Sequence, residues 1–170
     1  AVCRAIAAFP HVNASVDGES LVVWRDVHLC IAVDLGPDGL VAPVIRNAGS
    51  KSVADLARVI NDLSSRARAG ALNADDVSGG TYTLSNSGSF GTLITAPIIN
   101  QPQVAILSTD RISKKPVVIE SASGDSIVVR PVGILAQSFD HRAIDGAYSA
   151  GFLKRVKELI ENDDWSRLLG

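Results

Sequence analysis

The sequence predicts an α/β fold, a two-layer sandwich in which a mixed β-sheet carries helices mainly on one face. Three observations carry that prediction. Apolar patterning runs in the order strand pair, helix, several strands, helix. Two segments have helical spacing, one opening on a capping signal and closing on glycine. The chain has 170 residues, 46% of them apolar and 20% charged, enough for one sizeable core and too few for two.

The elements follow in chain order. Ala-Val-Cys-Arg-Ala-Ile-Ala-Ala-Phe reads as the tail of a helix already under way, and the chain does not open with Met, so a preceding segment is expected. Pro10 and residues 13–18 mark a turn. Residues 21–24 and 29–34 are β-rich runs, Gly36-Pro37-Asp38-Gly39 is a tight connection, and residues 40–45 are extended again. Ser52-Val53-Ala54-Asp55 opens a helix in capping-box fashion, with Asp where Glu is preferred. Val53, Leu56, Ile60 and Leu63 repeat at helical spacing, and Gly70 ends the pattern after a basic last turn.

Residues 73–77 suggest a further short turn of helix, and residues 81–86 a strand with alternating faces. Ser87-Gly88-Ser89-Phe90-Gly91 breaks regular structure. Further strands are predicted over 103–109, 116–120, 126–130 and 132–139, with 121–125 a hairpin turn. The run 132–139 is largely apolar and is expected to be well buried. A last helix, residues 147–162, aligns Phe152, Val156, Leu159 and Ile160 on one face.

Composition excludes some functions. A net charge of −2 argues against an electrostatic nucleic-acid binder, which needs a basic stripe. No run of about 18 uninterrupted apolar residues exists, so no membrane helix is predicted. Cys3 and Cys30 sit in apolar contexts and read as two buried free thiols of a reducing compartment, without zinc-type spacing.

Chemistry concentrates at Ser138-Phe139-Asp140-His141-Arg142-Ala143-Ile144-Asp145-Gly146, where an apolar run meets an amphipathic helix. Imidazole titrates near neutral pH, so a histidine at such a corner suits a general base. Asp145 would share a face with His141 if the helix began early, and Gly146 would let another backbone approach. From spacing alone, ion pairs around a bystander histidine explain the segment better than a catalytic base does. A metal site is disfavoured, because His-x-x-x-Asp lacks further nearby ligands.

The second candidate is Thr83-Leu84-Ser85-Asn86-Ser87-Gly88-Ser89. A hydroxyl at a strand end, ahead of a glycine turn, can donate to a developing oxyanion. The segment is neither a Gly-x-Ser-x-Gly elbow nor a P-loop, and by itself a Ser/Asn/Gly cluster also reads simply as a turn.

The His141 segment resembles the Asp-His-Arg-x-x-Asp-Gly signature of the dihydrolipoyl acyltransferases, the catalytic cores of 2-oxo acid dehydrogenase complexes. Phe9-Pro10 with Asn13-Ala14-Ser15, Gly39-Leu40 with Pro43-Val44-Ile45-Arg46, the run from Ser78 to Asn86, and Pro97-Ile98-Ile99-Asn100-Gln101-Pro102 resemble further family segments in the same order. Together they span essentially the whole chain.

The resemblance implies a chloramphenicol-acetyltransferase-like fold and trimers with active sites between subunits. It implies one catalytic domain over 1–170 without its N-terminal segment, and with no lipoyl or peripheral-subunit-binding domain in this chain. Acyl transfer between dihydrolipoamide and coenzyme A would follow, with the lipoyl group on a domain outside this chain. Carried over by position, His141 is the base toward the coenzyme A thiol, Ser85 stabilises the tetrahedral oxyanion, and Asp145 is a polar partner that orients. No residue that contacts coenzyme A is assigned, and no metal is expected.

Expected partners are further copies of the chain, the lipoyl domain, and the decarboxylating dehydrogenase and dihydrolipoyl dehydrogenase components. The expected location is bacterial cytoplasm or mitochondrial matrix, with neither nucleic acid nor membrane bound. Two alternatives stay open: a non-catalytic core paralogue, against which His141 and Ser85 both speak, and a stand-alone small-molecule acyltransferase, which would favour a second histidine where Arg142 stands. Two departures from the family pattern lie elsewhere. Ala136-Gln137 replaces a Leu-Ser-type pair, and Ser108-Thr109-Asp110 stands where small residues are common.

Overall fold

The structure, a computed structural model, describes residues 1–168. In chain order its elements are α1 (Val2–Ala8), β1 (Ala14–Asp17), β2 (Ser20–Val23), β3 (Leu29–Ile31), β4 (Val33–Asp34), β5 (Leu40–Val41), β6 (Val44–Ile45) and α2 (Val53–Arg68). They continue with β7 (Tyr82–Asn86), β8 (Ala105–Thr109), β9 (Ser113–Ile119), β10 (Ser126–Val132), β11 (Leu135–Phe139) and α3 (Gly146–Asn162), with short 3₁₀ turns between.

Five strands form one mixed sheet in the order β11-β8-β7-β3-β6. β7 runs parallel to β3 and to β8, while β11 and β6 are antiparallel to their neighbours. In the middle of the sheet, Ala105, Ile106, Leu107 and Ser108 of β8 and Tyr82 and Thr83 of β7 are buried. β1–β2, β4–β5 and β9–β10 are separate antiparallel pairs.

Alternation along β7 assigns the faces. Tyr82 points toward the helices, where its ring meets Phe152 edge-on with centroids 5.8 Å apart. Thr83 points the other way and bonds Gln103 Oε1 at 2.6 Å. Ala5 and Ile6 of α1, Leu63 of α2 and Phe152, Val156 and Leu159 of α3 all join one buried cluster with Leu29, Ile45, Tyr82 and Leu107. The helices therefore share one apolar core on one face of the sheet, the predicted sandwich.

The cap signals act as the sequence suggested. Ser52 Oγ accepts from Asp55 N–H at 3.0 Å at the start of α2, and the structure adds a reciprocal capping box between Asn73 and Asp76 that the sequence reading did not name. Gly70 takes φ +66 just past the end of α2.

Five expectations need correction. Residues 13–18 are not simply a turn: Ala14–Asp17 is β1, and a two-residue hairpin at Gly18-Glu19 pairs Asp17 with Ser20. Turn-forming composition concealed the strand, whose hairpin needs only Gly18 at φ +57. β11 is half-buried along its whole length, because it is the edge strand and bonds only β8. Ile160 is 48% exposed, off the buried stripe of Phe152, Val156 and Leu159. Cys30 is buried, but Cys3 is only half-buried. At Gly146 a Cβ would meet open space, so no backbone of this chain approaches there.

Candidate active site

The His141 segment is a tight turn at the end of the edge strand. Asp140 N–H still donates to Val104 O at 2.8 Å, which extends the β11–β8 ladder by one residue. The Asp140 carbonyl then accepts from Ala143 and Ile144 N–H at 3.0 and 3.3 Å, and Ile144 is buried as the anchor of the turn. The Asp140 carboxylate accepts from Arg142 N–H at 2.9 Å and from Nη2 at 2.6 Å. Those bonds from Arg142 hold the Asp140 carboxyl below the usual carboxylate range.

His141 stands exposed at the tip of this turn. Its ring centroid lies 5.5 Å from that of Phe139, tilted by 48°. Among the described residues no side chain hydrogen-bonds its imidazole. Asp145 is occupied elsewhere: it is the N-cap of α3, and its carboxylate accepts from Tyr148 N–H at 2.7 Å. The helix begins at Gly146, so His141 lies outside it and does not share a helical face with Asp145.

Ser85 is the fourth residue of β7, half-buried, on the sheet face turned away from the helices. Among the described residues its hydroxyl has no hydrogen-bond partner. Asn86 Oδ1 caps the following turn by accepting from Gly88 N–H at 2.9 Å. Glycine is required at 88, since a Cβ there would stand 2.9 Å from the Asp110 carbonyl oxygen.

The strand register keeps Ser85 and His141 of one chain apart. Ser85 is level with Ser108, and Ser108 with Ala136, so Ser85 lies beside the start of β11. His141 follows the other end of that strand. From Ala136 to Asp140 is about 13 Å along the sheet, and two strand spacings add about 10 Å across it. Two groups bonded to one reacting centre, each at about 3 Å, are at most about 8 Å apart. One chain therefore carries the two groups at opposite ends of its sheet.

Sequence reading did not single out the surroundings of Asp145. His11 stacks on Tyr148 with centroids 5.5 Å apart and rings 17° from parallel, and Tyr148 Oη accepts from His11 N–H at 3.2 Å. With Ala143 and Asp145 they line a shallow cleft beside the turn. Only the long-range fold joins the Phe9-Pro10-His11 segment to the start of α3, so no local signal points to it. A hollow of about 830 Å³ between the helices and the sheet is lined by residues that include Val2, Leu56, Ile60, Leu84 and Val156, but neither His141 nor Ser85. Among the described residues no group of three His, Cys, Asp or Glu side chains is placed to hold a metal.

A model of the family described as 2-oxoacid dehydrogenases acyltransferase (catalytic domain) matches residues 1–169. The dihydrolipoyllysine-residue succinyltransferase component of the Haemophilus influenzae 2-oxoglutarate dehydrogenase complex is 43% identical over 169 residues, 99% of this chain and 40% of that protein. The mitochondrial counterpart from Saccharomyces cerevisiae is 44% identical over 155 residues, 90% of this chain and 32% of that protein. The chain thus spans well under half the length of these curated relatives.

Among solved structures, Azotobacter vinelandii dihydrolipoamide acetyltransferase superposes with a TM-score of 0.86 at 37% identity, over 95% of this chain and 65% of that one. That structure belongs to a study of the role of a serine, a histidine and an asparagine in its catalytic mechanism, the last two numbered four apart. The cubic core of a pyruvate dehydrogenase multienzyme complex superposes with a TM-score of 0.87 at 36% identity, again over 95% and 65%. Chloramphenicol acetyltransferase shares the fold, with a TM-score of 0.53 at 18% identity over 94% of this chain and 74% of that one.

Proposed function

The chain belongs to the 2-oxoacid dehydrogenase acyltransferase family, as a catalytic domain, and on that premise we propose that it transfers an acyl group between dihydrolipoamide and coenzyme A. His141 is the general base and Ser85 the oxyanion donor. Each site takes Ser85 from one copy of the chain and His141 from another.

One observation carries this reading. His141 and Ser85 lie in the segments that resemble the family's signatures, and among the described residues neither the His141 imidazole nor the Ser85 hydroxyl has a hydrogen-bond partner, while the carboxylates of Asp140 and Asp145 are engaged. Asp140 binds Arg142 and Asp145 caps α3. A scaffold has no use for two such unoccupied groups.

The chemistry needs no more. His141 takes the proton of the coenzyme A thiol, and the sulfur attacks the thioester carbon of the acylated lipoyl group. Ser85 Oγ–H donates to the oxygen that becomes an oxyanion. Collapse expels the dihydrolipoamide sulfur, which takes the proton back from the imidazolium, and the reverse reaction uses the same groups. A thiol ionises far more readily than a serine hydroxyl, so His141 works without a buried carboxylate behind it. A positioned base of this kind contributes about 10²–10⁴-fold. An oxyanion donor contributes about 2.7–4 kcal/mol.

The proposed partners follow from the same reading: further copies of the chain, a lipoyl domain, and the dehydrogenase components of the complex. The relatives compared are bacterial and mitochondrial, and among the described residues no helix is long and apolar enough to cross a membrane. Since those curated relatives are succinyltransferases, succinyl-CoA is the expected preferred donor.

The test follows acyl transfer from acetyl-, succinyl- and branched-chain acyl-CoA to dihydrolipoamide. His141→Ala is expected to lose at least about 10²-fold. Equal activity of wild type and His141→Ala would refute the base, and a loss below tenfold in Ser85→Ala would refute the oxyanion donor.

A further inference from the structure

The buried carboxylate of Asp110, one residue past β8, has no part in the reaction as derived. It is 3% exposed and gathers five donors. Thr92 Oγ1 and Thr95 Oγ1 donate to Oδ1 at 2.6 and 2.7 Å, and Ser87 Oγ at 3.2 Å. Thr95 N–H and Ser108 Oγ donate to Oδ2 at 3.1 and 3.3 Å. None of these donors is a cation. The bonds, that from Thr92 first, lower the carboxyl from its usual range, so it is an anion at neutral pH.

The donors come from both sides of Ser85. Ser108 is its register partner on β8, and Ser87 lies two residues on, with its own N–H bonded to Thr109 O at 3.1 Å. Thr92 and Thr95 belong to the loop that leaves β7. Besides Arg111 N–H donating to Thr92 O at 3.0 Å and Thr92 Oγ1 bonding within the loop to Ser87 O, the loop has little to hold it: residues 92–95 form no regular structure, and Phe90, Leu93 and Ile94 turn their side chains outward. Burial of its apolar groups therefore does not fix its path, and the hydroxyl cage around Asp110 does.

We propose that Asp110 is a positioning residue for acyl transfer, tying the 87–95 loop to the ends of β7 and β8 so that Ser85 presents its hydroxyl at a fixed point. This rests on the reading of Ser85 as oxyanion donor. Asp110 touches no substrate in this scheme and acts only through Ser85. In Asp110→Asn one carboxylate oxygen becomes an N–H₂, so Thr95 N–H and Ser108 Oγ face a donor where they had an acceptor, and Thr95 N–H regains a bond only if the loop shifts. A misplacement of about 1 Å at a reacting group costs up to about 10²-fold in rate.

The experiment is a double-mutant cycle on the full chain, with succinyl-CoA and dihydrolipoamide as substrates. Asp110→Asn is expected to lower kcat about tenfold or more with KM little changed, and to lower it no further in a Ser85→Ala background. Amide exchange at Thr95 is expected to accelerate in the same variant. Thr95→Val keeps the backbone donor and deletes one hydroxyl, and it should give a smaller loss of the same kind even if Asp110→Asn folds poorly. An equal fold-loss with and without Ser85 would make Asp110 merely structural and overturn the proposal. Full activity of Asp110→Asn beside a disabled Ser85→Ala would also overturn it and leave the function standing. Full activity of Ser85→Ala would instead refute the oxyanion reading on which both depend.

Discussion

Mixing two inactive variants tests the shared site directly. The backbone at Ser85 and that at Asp140, just before His141, are separated by about 13 Å along the sheet and about 10 Å across it, or roughly 16 Å in all. One reacting carbon cannot be served by both Ser85 and His141 of one chain, so the proposed site takes them from different copies. A chain with Ser85→Ala still offers an intact His141, and a chain with His141→Ala an intact Ser85. In random one-to-one mixed assemblies, half of the Ser85 donors and half of the His141 donors are native at a given site. About a quarter of the sites are then complete, whatever the ring size.

Each variant alone should retain about 10⁻² of native activity or less. Co-expressed, the pair should therefore rise at least about tenfold, to roughly a quarter of the native rate. The assay is acyl transfer from succinyl-CoA to dihydrolipoamide, on assemblies whose composition is checked by intact mass. A mixture no more active than its parents, with both chains present in the same assemblies, would refute the reasoning.

Three further outcomes are expected. Asp145→Asn keeps a good N-cap and should leave the melting temperature nearly unchanged, whereas Asp145→Ala should cost about 0.5–2 kcal/mol in a urea titration; equal stabilities would deny the cap seen at Tyr148 N–H. Phe152→Ala removes a fully buried ring that meets Phe9 and Tyr82 edge-on, and should cost about 3–5 kcal/mol, with a loss below 1 kcal/mol in the same titration counting against this core. Asp110 and Asp140 have carboxyls lowered by Thr92 and Arg142 respectively. Their contribution is full above the unfolded value of about 3.9 and is lost as pH falls through the lower folded values. The urea midpoint should show no step from these groups between about pH 5 and 8 and should fall below about 4; a step near neutrality would contradict the assignment.

Local chemistry made much of the fold legible. Ser52 and Gly70 announced helix ends because a cap is settled by its own few residues. What the sequence hid depends on strand order. The run before Phe139 is as apolar as a buried strand, and only its edge position leaves it half-covered. Ala14–Asp17 looked like a turn because the residues that make it a strand lie across the hairpin.

The same holds for the site. The His141 and Ser85 segments could each be found as motifs, yet neither indicates that β11 runs antiparallel to β8 while β7 runs parallel to it. That difference of direction puts the two side chains at opposite ends of the sheet. Asp110 looked like an odd substitution, because its five donors come from a stretch of more than twenty residues that only the fold gathers.

Separation of the two reactive groups and the surface beside Ser85 make one argument. Phe90 is 70% exposed and Ile98 is 91% exposed, with Leu93 and Ile94 between them in sequence, all on or just after the loop that Asp110 holds. Single exposed apolar side chains are ordinary, but several together on one loop beside Ser85 are not. The β9–β10 hairpin adds Val118, Ile127 and Val129, exposed on a two-stranded ribbon that would be marginal in water by itself. If a second copy must bring His141 to Ser85, it must also cover what surrounds Ser85, and apolar side chains are what such an approach would bury. Assembly and catalysis are then one requirement on this sequence, and a loop fixed by polar bonds beneath leaves its apolar side chains free to face the neighbour.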